Sequence, residues 1–169
     1  MATRSFISIR IPKEYEGKTL QCDVCKLPNG IIIDNGDNFA FPSVEIPISS
    51  DKNHDLYMSV YHHFDGHIES LGATLMKHYN TFESVLNLIL GGDVITCMKH
   101  DRDIVEYFHK SNVSWNDNEC PMFNNRIVVN ELIKNSMARF HYRFEGGKWY
   151  VQKDNNKIWH LLEKQLEKI

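Results

Sequence analysis

The side chains best suited to chemistry lie in one short run, His62-His63-Phe64-Asp65-Gly66-His67, with His54 and Asp55 just upstream. Imidazole and carboxylate ligate zinc, iron and manganese, and they also serve as general acids and bases. The spacing argues against a single ion held by this run. In a strand His62 and His63 point to opposite faces, and no helical His-x-x-x-His pair is present. A polar loop in which Asp65 orders the turn at Gly66 accounts for the same residues. The cysteines divide in the same way. Cys22 and Cys25 form one Cys-x-x-Cys step, but Cys97 and Cys120 lack the second short spacing of a closed zinc site. Unless a metal claims them, all four are expected as thiols.

Anion chemistry has more support. Lys99-His100-Asp101-Arg102-Asp103 follows the short apolar stretch Val94-Ile95-Thr96, and Arg102 can offer a bidentate fork to phosphate or carboxylate. A solvated loop whose Asp101 or Asp103 caps a following helix is the plainer account of that run. Arg139, His141 and Arg143 share one face of an alternating segment, and Arg4 and Arg10 share one face of another. An anion between two such strands would meet several forks, although edge charges that keep sheets from pairing explain any one of them. No Gly-rich phosphate loop, Gly-x-Ser-x-Gly elbow or His-Glu-x-x-His occurs, so no motif names a reaction.

These residues depend on a recognisable series of elements. Residues 4–11 alternate, with Ile7, Ile9 and Ile11 on one face, and Pro12 ends the pattern. Ile31–Ile33 and Val44–Ile48, separated by an Asn- and Gly-rich turn at 34–38, predict a hairpin inserted at about 18–55. Residues 56–62 predict a central strand that delivers the histidine run at its end. Apolar residues spaced three and four apart predict helices over 68–79 and 81–90, the second opened by an Asn80/Glu83 capping box and closed by Gly91-Gly92. A short helix is expected at 103–109 and a polar loop at 112–125. Strict alternation over 139–144, a Gly146-Gly147 turn and Lys148–Val151 predict a hairpin. Ile158, Leu161, Leu162, Leu166 and Ile169 form a final helical stripe. The order of elements predicts an α+β fold: one domain over 1–169 with a mainly antiparallel sheet, two or three helices on one face and a C-terminal helix.

With 169 residues, 42% hydrophobic, the chain is long enough to build a core without disulfide, metal or cofactor. A formal charge of −3 argues against sequence-independent binding to duplex nucleic acid. The opening residues lack an apolar leader and no apolar run reaches membrane length, so a cytoplasmic protein without membrane contact is expected.

Thr3-Arg4-Ser5, Tyr61-His62-His63-Phe64-Asp65-Gly66 ahead of Gly72 and His78-Tyr79, Gly92-Asp93, His100-Asp101-Arg102, and Tyr142-Arg143-Phe144 to Lys148-Trp149-Tyr150-Val151 together resemble a family of small phage and prophage proteins. In that family an N-terminal Thr-Arg-Ser strand precedes a Tyr-x-His-Trp-Asp-Gly-Tyr-Pro segment. The likeness spans roughly residues 2–11 and 56–152; Phe64 stands for the family's Trp and His67-Ile68 for its Tyr-Pro. The family has no established general activity. The resemblance implies a phage accessory protein acting in the host cytoplasm, of a kind that commonly blunts host defence. The leading expectation is a non-enzymatic protein that sequesters a small phosphorylated, nucleotide-like ligand at Arg4, His63, Asp65, Arg102 and Arg143. The alternatives are a metal-dependent phosphodiesterase or nuclease using His63, Asp65 and Asp101, and a protein inhibitor that masks a host defence enzyme.

Overall fold

The computed structural model describes residues 3–22, 43–48, 56–97, 105–107, 121–125, 138–154 and 158–169. Its strands in chain order are β1 (Ser5–Arg10), β2 (Thr19–Gln21), β3 (Ser43–Glu45), β4 (Leu56–His62), β5 (Val94–Thr96), β6 (Glu106–Tyr107), β7 (Met122–Asn125), β8 (Phe140–Glu145), β9 (Lys148–Lys153) and β10 (His160–Leu161). The helices are α1 (Ala73–His78), entered through a π-helical turn at Ile68–Gly72, α2 (Phe82–Ile89) and α3 (Leu162–Glu167). The fold is α+β.

The alternating residues 5–10 form the centre of the eight-stranded sheet, whose order is β10-β9-β8-β1-β4-β5-β6, with β7 also on β4. β1 runs antiparallel to β4, placing Ser5 opposite His62 and Arg10 opposite Tyr57. On its other side β1 pairs with β8 in parallel, Ser5 opposite Phe140 and Ile9 opposite Phe144. This pair and the parallel β4–β5 contact make the sheet mixed, with antiparallel pairs in the majority. Parallel neighbours need a long crossover, which the chain between β1 and β8 supplies.

One sheet face carries Ile7, Ile9, Met58, Val60, Tyr142 and Phe144 and joins Leu71, Leu75, Val85, Ile89 and Leu162 of the helical layer in one buried cluster. Fully burying each such side chain contributes about 1.5–3 kcal/mol. The Trp149 indole N–H donates to the Tyr79 carbonyl at 2.7 Å, fixing the end of α1 to the β8–β9 hairpin.

Several local expectations are corrected. The N-cap of α2 is Thr81, not Asn80: Thr81 is extended (φ −121°, ψ 156°), which moves the third helical position to Ser84. Ser84 N–H donates to Thr81 Oγ1 at 3.1 Å and Thr81 N–H to Ser84 Oγ at 3.2 Å, so Glu83 is left outside the box. Within the expected helix 103–109, residues 106–107 are strand β6, because Tyr107 pairs with Val94 and its hydroxyl donates to the Leu88 carbonyl. Within the expected loop 112–125, residues 122–125 are strand β7, paired with Leu56–Ser59 of β4. Apart from residues 105 and 121, which are described but belong to neither a helix nor a strand, the rest of both spans lies outside the described residues. In the insertion β2 pairs with β3, Leu20 opposite Val44, while 31–33 and the 34–38 turn lie outside. Of the final apolar stripe Leu162 is buried, whereas Ile158 and Ile169 are exposed, since the chain first adds β10 to the sheet. Cys22 is buried and disulfide-bonded rather than a thiol, its partner lying outside the described residues; Cys97 is a buried thiol.

Candidate anion-binding site

The end of β4 and the start of β1 are tied into one rigid corner. Continuing the β1–β4 register one step past Ser5 and His62 sets Arg4 opposite His63. His63 N–H donates to the Val94 carbonyl at 3.0 Å and Phe64 N–H to the Ile95 carbonyl at 2.9 Å, so the chain leaves β4 alongside β5. It then turns sharply: Asp65 takes φ 59° and Gly66 N–H donates to the Thr3 carbonyl at 2.9 Å. A Cβ at Gly66 would stand 2.6 Å from the Thr3 carbonyl oxygen, so glycine alone permits this approach. The Gly66 carbonyl accepts from the Tyr142 hydroxyl at 2.6 Å, and Thr3 Oγ1 and His67 Nε2 hydrogen-bond at 2.8 Å.

On this corner Arg4 is half-buried and forms an ion pair with no carboxylate among the described residues. Beside it the Tyr61 hydroxyl and His63 Nδ1 hydrogen-bond at 2.7 Å, and Tyr61 N–H donates to Asp93 Oδ1 at 2.9 Å. Burial, and after it the Arg4 guanidinium, hold the His63 pKa below its ordinary value, so the imidazole is neutral near pH 7. Burial raises the Tyr61 pKa, with Arg4 opposing and Asp93 reinforcing the rise, so its hydroxyl keeps its proton. The His63 ring is itself buried and backs the Phe64 ring, centroids 4.4 Å apart, while Phe64 remains 43% exposed. A cation and an open aromatic face are thus presented on a backbone that cannot swing away.

The structure brings Arg4 and His63 together and sets Asp65 on the same loop. Asp65 is exposed and its carboxylate bonds to no described residue, so the turn at Gly66 is ordered by Thr3 and Tyr142 and not by the Asp65 side chain. Arg143 is on the same sheet face but at the level of Ser8, four residues along β1 from Arg4, or about 13 Å. It is already engaged. Its guanidinium lies 4.1 Å from the Trp159 ring centre, with Tyr57 and Tyr150 at 5.8 and 5.7 Å, and Nε approaches Glu145 Oε2 at 3.1 Å as an ion pair without hydrogen-bond geometry. Arg102 and Asp101 lie outside the described residues. Among the described residues no three His, Cys, Asp or Glu side chains gather as a metal site.

Two buried histidine sites escape a sequence reading. Ser8 Oγ bonds Ser59 Oγ at 2.6 Å and His141 Nε2 at 2.7 Å, all three side chains being buried, with the His141 ring against Trp159, and His141 Nδ1 has no hydrogen-bond partner among the described residues. His62 Nε2 accepts from the Cys97 N–H at 3.1 Å, which puts the ring proton on Nδ1, facing Ser5 Oγ at 3.2 Å. The signal was present as polar residues at alternating strand positions, but only the register shows which of them meet. At the far end of β1 an open cleft of about 900 Å³ is lined by Arg10, Lys13, Tyr15, Phe82 and Glu145, among others. There Arg10 is paired with Glu145 at 2.8 Å and the walls add Glu14 and Glu83, so the arginine of this cleft is already engaged.

Compared with models of known families, with curated proteins and with solved structures, the chain finds no match in any of the three. No described helix is long and apolar enough to cross a membrane.

Proposed function

We propose that the protein binds a small phosphorylated, nucleotide-like ligand at the Arg4 corner and acts by holding it, without turnover. The observation that carries this reading is a half-buried arginine with no acidic partner among the described residues, set opposite His63, whose ring lies against the exposed Phe64 on a clamped loop. The Arg4 guanidinium supplies a charge-assisted fork to phosphate and Phe64 a face for a base, with the Tyr61-bonded His63 ring packed against Phe64. Sequestration is favoured because the Ser8–His141 contact, which has the atoms of a nucleophile and its base, is enclosed and cannot meet substrate. The resemblance to phage accessory proteins supports a role in removing a nucleotide signal from a host defence system.

Isothermal titration with linear and cyclic nucleotides tests this. Arg4→Ala should weaken binding about tenfold to a hundredfold, the scale of about 1.5–3 kcal/mol for a hydrogen bond to a charged group, with unfolding unchanged. Ligand released by denaturing the complex should be chemically intact by mass spectrometry. Absence of nucleotide binding, or equal affinity in Arg4→Ala, overturns the reading, and a cleaved ligand replaces it with an enzyme.

A further inference from the structure

Asp65 poses a problem for a site that binds only negative charge. Its carboxylate is exposed one residue beyond Phe64, on the loop that Arg4 adjoins, and a fixed carboxylate there repels an anion. The loop cannot relieve this by moving, because Gly66 is bonded through its N–H to Thr3 and through its carbonyl to Tyr142, and His67 is bonded to Thr3. Asp65 also takes the left-handed region, φ 59°, which glycine, asparagine and aspartate adopt most readily, and its side chain bonds to no described residue there. An exposed acceptor on a clamped loop, bonded to no described residue, fits a ligand that brings hydrogen-bond donors as well as phosphate.

We infer that Asp65 is the specificity residue of this site: its two carboxylate oxygens accept a pair of adjacent donors on a nucleotide whose phosphate pairs with Arg4. The inference rests on the anion-binding reading above. A carboxylate takes two parallel donors in one plane, and a nucleotide offers two such sets: the N1–H and N2–H edge of guanine, and the cis-diol of ribose. Asp65 follows Phe64 directly in sequence, so its exposed carboxylate and a base stacked on Phe64 would share one loop. An adenine edge lacks the two-donor pattern, and an inorganic phosphate offers no donor set at all.

The variant Asp65→Asn isolates the acceptor, since asparagine tolerates the left-handed backbone and keeps the size of the side chain. Titrations use guanosine monophosphate, its 2′-deoxy form, adenosine monophosphate and inorganic phosphate. Guanosine monophosphate should bind the variant at least tenfold more weakly than the parent, while phosphate binds equally or more tightly because a repelling charge is gone. If the base edge is the donor set, the parent prefers both guanine nucleotides to adenosine monophosphate; if the diol is, it prefers both ribonucleotides to the deoxy form. Unchanged guanosine monophosphate affinity in Asp65→Asn, together with a loss in Arg4→Ala, overturns the inference and leaves the anion site standing. Equal weakening of phosphate and nucleotide also overturns it, by showing that Asp65 only shapes the loop. A parent protein that binds no nucleotide removes both readings.

Discussion

The Tyr142 hydroxyl donates to the Gly66 carbonyl at 2.6 Å, joining a central strand to the loop after β4 across 76 positions of sequence. Tyr142 is fully buried, and burial, helped by Glu69, raises its pKa well above the ordinary tyrosine value, so the donor proton is kept throughout the usual pH range. Tyr142→Phe leaves a buried carbonyl without its partner. It should cost about 1–3 kcal/mol in a denaturant titration and should also loosen the loop that carries Phe64 and Asp65. An unchanged midpoint would show that the Gly66 carbonyl finds another donor.

Acid should unfold the protein through His62 and His141. Burial lowers both pKa values from 6.5 to about 3, with a smaller contribution from His63 to the first and from Arg143 to the second. Below pH 6.5 the unfolded chain takes up these protons and the folded one does not. The stability present above pH 6.5 is therefore lost progressively as pH falls towards 3, by up to about 1.4 kcal/mol per pH unit for each residue. Stability curves between pH 7 and 4 check the slope. His141→Gln should flatten it, and a slope equal to the parent's would remove His141 from the account.

Arg143 packs against the rings of Trp159, Tyr57 and Tyr150, away from the proposed ligand corner. Arg143→Lys keeps the charge but loses the planar group stacked 4.1 Å from Trp159, which should lower stability by about 1–2 kcal/mol and alter the Trp159 fluorescence. Nucleotide affinity should be unchanged, because the corner is about 13 Å away along the strand. A fall in affinity without a fall in stability would return Arg143 to the binding site.

What was legible in the sequence was local. The alternation of Ile7 and Ile9, the Gly146-Gly147 hairpin turn and the stripe of Val85, Leu86 and Ile89 each follow from periods and turn chemistry within a dozen residues, and each is present. The proximity of Arg4 and His63 was legible too, since pairing two neighbouring strands suffices for it. The parallel alignment of Ser5 with Phe140 was not, because it depends on a return of the chain that no local pattern records. For the same reason the local pattern around Tyr107 and Met122 suggests helix and loop: their strand character comes from the β5 and β4 edges they lie against. The Ser8–Ser59–His141 network needed three strands in register before it could be seen.

The position of β1 between β4 and β8 also sets a timetable for assembly. Ile7 acquires Val60 as a neighbour after some fifty residues, but Tyr142 only after some 135, so the middle of the sheet is closed by one of the most sequence-distant pairings in the molecule. Distant pairings are slow, because the loop entropy is spent before the contact forms. On a ribosome one edge of β1 therefore waits unpaired until β8 emerges, and during that interval the nascent chain exposes an Ile-rich strand edge open to pairing with a neighbouring chain.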